Sequence, residues 1–201
     1  RTMQPDPVTC MIPFDLAFFL LAGLRVLFTL PVELRANWLF RLTAGEQPPA
    51  VESATRKFLL FTAILPLGTL AFPVYWQAWG AKDALIHTWL FALESWMVLE
   101  ILMGRFHKIP FTCSWLPGKA NLKVRLGAYF ILFGFSSSMA GVFESNILRA
   151  AAPQNVLGFS GLLLAFIAWF RWRRHQHGQE PWSITFEERP DIIAGGLNLV
   201  R

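Results

Sequence analysis

Cysteine and charge are both scarce in this chain. Two cysteines, Cys10 and Cys113, stand in 201 residues, too few and too far apart for the disulfide framework of a small secreted domain. Only 15% of the residues are Asp, Glu, Lys or Arg, against about 25% in ordinary soluble domains. A phosphate-binding loop is missing as well. "LPGK" at 116–119 offers a Gly-Lys pair without the upstream glycine and following Ser or Thr that would make Lys119 a nucleotide lysine. Nucleic acid is not expected as a partner. No signal peptide with a small-residue cleavage site stands around the first apolar run, and the chain reads as a piece of something longer.

Apolar and aromatic residues fill the space. Fifty-four per cent of the residues are hydrophobic, with 19 Phe and 9 Trp, and the mean hydropathy is positive. So many large rings suit lipid contact and interfacial belts better than a core of this size. A membrane-spanning helix needs about 20 predominantly apolar residues. Five stretches qualify: 11–31, 58–79, 84–103, 126–147 and 155–171. None alternates with the period of two that a membrane barrel strand requires. The fold class expected is an all-α membrane protein with about five transmembrane helices.

Charge position sets the expected threading. Segments 32–57, 104–125 and 172–201, together with Arg171, hold fourteen Lys or Arg residues, while Arg1, Lys82 and Arg149 lie on the other side. Basic residues gather on the cytoplasmic face, which puts residues 1–10 and the N-terminus outside and the C-terminal tail inside. In 32–57, Leu34, Trp38 and Leu42 recur every fourth residue with Arg35 and Arg41 off the stripe, the pattern of an amphipathic helix lying on the inner membrane surface. The connector 104–125 carries Arg105, Lys108, Lys119, Lys123 and Arg125, placed to meet anionic lipid headgroups. Its Pro110, Pro117 and Gly118 make the turn into the next span.

Charges at membrane depth cost about 2.5–3.5 kcal/mol each on insertion scales and need a partner or a purpose. Four polar residues stand out inside the spans: Arg25, His87, Glu94 and Glu100. His87 and Glu94 are seven residues apart and share a helix face, whereas Glu100 is turned by about 120° from Glu94. Two readings stay open. The three acidic and imidazole groups form a polar path for protons or a cationic substrate, or Arg25 pairs with one of the glutamates as a buried ion pair that fixes helix register. In "GFSSSMAG", Gly134 with Ser138 and Ser137 with Gly141 make small-xxx-small pairs that allow close helix approach.

No cofactor is evident and no metal site is expected. Haem between helices asks for two buried histidines, and only His87 lies in a span; "HQH" at 175–177 has no cysteine or carboxylate cluster beside it. Cys113 and His107 are the weak catalytic candidates, for want of an acid nearby.

"LPVELRANWLFRLT" (30–43) and "KIPFTCSWLPGKANLK" (108–123) resemble segments in the C-terminal portion of a family of uncharacterised bacterial multi-pass integral membrane proteins. The resemblance covers about residues 25–125 and implies a bacterial inner membrane; it brings no known activity and no assigned residues. Three functions remain. The first is a transporter or permease-type subunit, or part of one. The second is a structural or assembly subunit of a membrane complex. The third is a membrane enzyme acting on lipid-phase substrates. The partners expected are the bilayer, with anionic lipids at its inner face, and other membrane subunits or the rest of a longer chain.

Overall fold

The computed structural model describes residues 4–28, 48–104, 122–150 and 152–177. Every element among them is a helix: α1 (Pro7–Leu27), α2 (Pro48–Leu59), a π-helical turn (Leu60–Ile64), α3 (Leu65–Trp79), α4 (Ala81–Met103), α5 (Leu122–Ala150) and α6 (Pro153–His177). The all-α expectation holds. Four helices are long and apolar enough to cross a membrane: Pro7–Leu27, Val51–Trp79, Ala81–Met103 and Pro153–Arg174. The 29 residues of α5 extend about 43 Å, also more than a hydrocarbon core.

Local sequence sets the helix boundaries. Asp6 caps α1 by accepting a hydrogen bond from the Thr9 amide at 2.9 Å, and Pro7 occupies the first helical position, where no backbone donor is needed. The Thr9 amide and hydroxyl hold the Asp6 carboxyl below its ordinary value. A π turn stands just before Pro66. Leu65 N–H bonds Leu60 C=O five residues back, which widens the helix just before a residue that has no amide proton to give. Gly80, at φ 93°, turns α3 into α4; this left-handed conformation is one that a residue with a Cβ adopts only under strain.

Helix α4 is the central rod. Half of its apolar window is buried, against 17–28% for the other three spanning helices, and it packs against α3, α6 and α1, while α1 also packs along α5. Phe14, Leu21, Phe91, Leu99 and Met103 form the core between them. The outward faces are apolar: Leu70, Ile131 and Leu157 are 71–78% exposed. Water disfavours such a surface and lipid accepts it. The helices alternate in direction, so the bundle has two ends. At the Gly80 end lie the start of α1, the α3–α4 turn and the last turns of α5. At the Arg174 end lie α2, the end of α4 and the end of α6.

The stretch around Leu34, Trp38 and Leu42 lies outside the described residues, as do Arg105, Lys108 and Lys119 with the enzyme candidates His107 and Cys113. Lys123 and Arg125 fall in the first turn of α5.

Candidate functional site

Two buried polar clusters sit on α4, one toward each end of the bundle. The first is centred on His87. Its Nδ1 lies 2.6 Å from Glu144 Oε1 on α5, and both side chains are 1% exposed. Cys10 on α1 is equally buried. Its sulfur, a ring nitrogen of His87 and a carboxylate oxygen of Glu144 all lie within 4.8 Å of one another. The imidazole is walled by aromatic edges, with Tyr75 at 4.3 Å and Trp79 at 5.3 Å between ring centroids. Glu94 lies two helical turns further along α4, 3% exposed and within electrostatic reach of Glu144. Two atoms here have no hydrogen-bond partner, His87 Nε2 and Glu94 Oε1. Buried polar atoms are almost always paired, and these two have no partner within the protein.

The sequence builds this cluster through a proline. Pro13, inside α1, has no amide proton for the carbonyl of Thr9, four residues back. The Tyr75 hydroxyl donates to that carbonyl at 2.9 Å, which ties α3 to α1 beside Cys10. On the other side, a Cβ on Gly141 would stand 2.5 Å from the carbonyl oxygen of Pro7 and 3.3 Å from Met11 Cβ. Only the bare backbone of Gly141 lets α1 lie this close to α5. Arg149 adds a bond to the Pro5 carbonyl at 2.8 Å. Together these contacts bring Cys10 and Glu144 to the same histidine.

The second cluster is centred on Glu100. Arg56 and Arg174 both reach its Oε2, the latter at 3.1 Å, and the Trp96 indole donates to Oε1 at 3.3 Å. Glu52 completes the set, bonding Arg56 at 2.5 Å and Arg174 at 3.2 Å. Arg174 also donates to the Glu100 backbone carbonyl and lies over the Phe170 ring. Two guanidiniums thus face two carboxylates from three helices, and Arg174 Nε is the one buried side-chain atom of the set left without a partner.

The residues singled out from sequence are distributed unevenly over this geometry. His87 and Glu94 share the first cluster; Glu100 belongs to the second. Arg25 pairs with neither glutamate. It stands in the last turn of α1, where a cation complements the helix dipole, because the helix begins at Pro7 and ends at Leu27. Ser137 donates to Asp15, and Gly141 meets α1, whereas Gly134 has no neighbour around its Cβ position and Ser138 donates back to the Gly134 carbonyl. Sequence reasoning missed Glu144 and Cys10. Glu144 carried a usable signal: it is a charge inside an apolar run of membrane length, as Glu94 is. These donors come from three distant segments of the chain.

Four apolar helices around a buried polar centre fit a multi-pass integral membrane protein. Compared with known proteins, the chain matches no family model, no curated protein and no solved structure.

Proposed function

We propose that this chain is a transporter or permease-type subunit, or part of one, that handles a cation or protons along the buried face of α4. The observation that carries the reading is the His87–Glu144 pair at 1% exposure, with the unpartnered oxygen of Glu94 about 10.5 Å further along the same face. Groups of this kind inside a membrane bundle are costly to keep and commonly mark ion or proton pathways. The polar face draws on three helices, α1, α4 and α5, so it has the multi-helix lining a path needs. The membrane in this reading is a bacterial inner membrane, with the C-terminal end in the cytoplasm and the basic segments against anionic headgroups.

The assembly-subunit reading is favoured by a separate observation, the compensated Glu52–Arg56–Glu100–Arg174 network, which fixes helix register. We assign that role to the Arg174 end alone.

Purified chain reconstituted into liposomes tests the transport reading. An imposed proton or cation gradient should dissipate faster than in empty vesicles, and Glu94→Gln and Glu144→Gln should each reduce the flux while the detergent-solubilised proteins stay monodisperse. Flux unchanged by both substitutions, or no flux from the wild-type chain, would overturn the transport reading.

A further inference from the structure

We propose that Cys10, His87 and Glu144 bind a thiophilic divalent transition-metal ion of the Zn2+ and Co2+ class. The inference deepens the transport reading by naming its cation; it rests on that reading for movement of the ion and stands apart from it for binding.

The donor set is one sulfur, one imidazole nitrogen and one carboxylate oxygen, contributed by α1, α4 and α5. Thiolate excludes Mg2+ and Ca2+, which take oxygen ligands, and imidazole with thiolate suits Zn2+ and its neighbours. Three protein ligands leave a tetrahedral ion one open position, the arrangement of exchangeable rather than purely structural sites. Size agrees. With bonds of about 2.0–2.3 Å, ligand atoms around a tetrahedral ion stand roughly 3.3–3.7 Å apart. The present separations, up to 4.8 Å, close with shifts of about 1 Å, and the 2.6 Å His87–Glu144 contact opens by somewhat less.

Two further observations point the same way. His87 Nε2, on a side chain 1% exposed, has no partner. A cation held here offers a buried ligand pair a countercharge that the protein does not supply: no Lys or Arg among the described residues forms an ion pair with Glu144 or Glu94. Binding displaces the thiol proton and any proton held on the ligating imidazole nitrogen or carboxylate oxygen. Thiolate and carboxylate together then neutralise a divalent ion. The Tyr75 and Trp79 rings beside His87 exclude water from one side and fix the ring plane, the outer-shell role that orients a ligand.

The test uses the full chain in detergent with Co2+ as probe and Zn2+ as competitor. The Cys113→Ser protein, which leaves the cluster untouched, should show a sulfur-to-cobalt charge-transfer band that Zn2+ abolishes. Cys10→Ser should lose the band and bind Zn2+ at least ~10-fold more weakly. A folded wild-type chain with no band at millimolar Co2+, or a band lost with Cys113 and kept without Cys10, would overturn the proposal. Should Cys10→Ser misfold, Zn2+ should slow alkylation of Cys10 by a membrane-permeant maleimide about tenfold in the Cys113→Ser protein; an unchanged rate would equally overturn it. Liposome flux separates the two readings. Metal binding without flux keeps this site and removes transport; proton flux without metal binding removes this site and keeps transport.

Discussion

The two ends of α4 solve the same problem in opposite ways. Toward the Arg174 end, Glu100 is buried at 3% exposure, yet it is met by two guanidiniums and an indole N–H, and the neighbouring Glu52 balances the second positive charge. Toward the Gly80 end, Glu144 is as deeply buried and has a single imidazole for a partner, Glu94 is buried near the middle of the helix, and His87 Nε2 and Glu94 Oε1 have no partner. Had selection acted only on stability, both ends would look like the first, or would carry apolar residues, since a buried ion pair is on balance no better than well-packed hydrophobes. The difference separates a register device from a site.

The contrast breaks most visibly at the satisfied end. Glu100→Ala leaves Arg56 and Arg174 facing each other with one carboxylate fewer, and chemical unfolding in detergent should show a loss of about 3 kcal/mol. Gly141→Ala comes next. Its Cβ would meet a backbone carbonyl rather than a flexible side chain, so α1 must move away from α5, at a cost of about 2 kcal/mol, and the Cys10–Glu144 proximity should loosen with it, read as weaker metal binding. Tyr75→Phe should cost about 1.5 kcal/mol, because the Thr9 carbonyl that Pro13 leaves without a helix donor loses its replacement. Thermal melts of the two proteins check this.

The smallest effect lies at the α1 cap. Asp6→Ala should cost about 1 kcal/mol near neutral pH. The Asp6 carboxyl is held below its ordinary 3.8 in the folded chain, so its contribution is complete above that value and fades as the pH falls through the lowered one. The stability gap between wild type and Asp6→Ala should therefore be flat from neutral pH down to about pH 5 and then narrow in strong acid.

Much of the fold was legible because it rests on local pattern. Apolar runs of membrane length predict helices wherever they occur. The shared face of His87 and Glu94 followed from a spacing of seven. The partners did not follow. Arg56 and Arg174 read as topology signals at the ends of spans, and their pairing with Glu100 across 44 and 74 residues depends on how deep each helix begins. Arg25 shows the same sensitivity: ending α1 at Leu27 instead of residue 31 carries it into the final turn. Glu144 and Cys10 come together only through the Gly141 and Pro13–Tyr75 contacts, and a register between helices cannot be read from periodicity within one.

The most direct measurement is the unfolding free energy of Glu94→Gln in detergent, beside that of the wild type. If the polar face running from His87 to Glu94 is a site rather than a brace, removing a carboxylate whose Oε1 has no partner should leave stability within about 1 kcal/mol of wild type or raise it. A loss of 3 kcal/mol or more, matching that of Glu100→Ala, would show that Glu94 holds the bundle together and that the two ends do the same job.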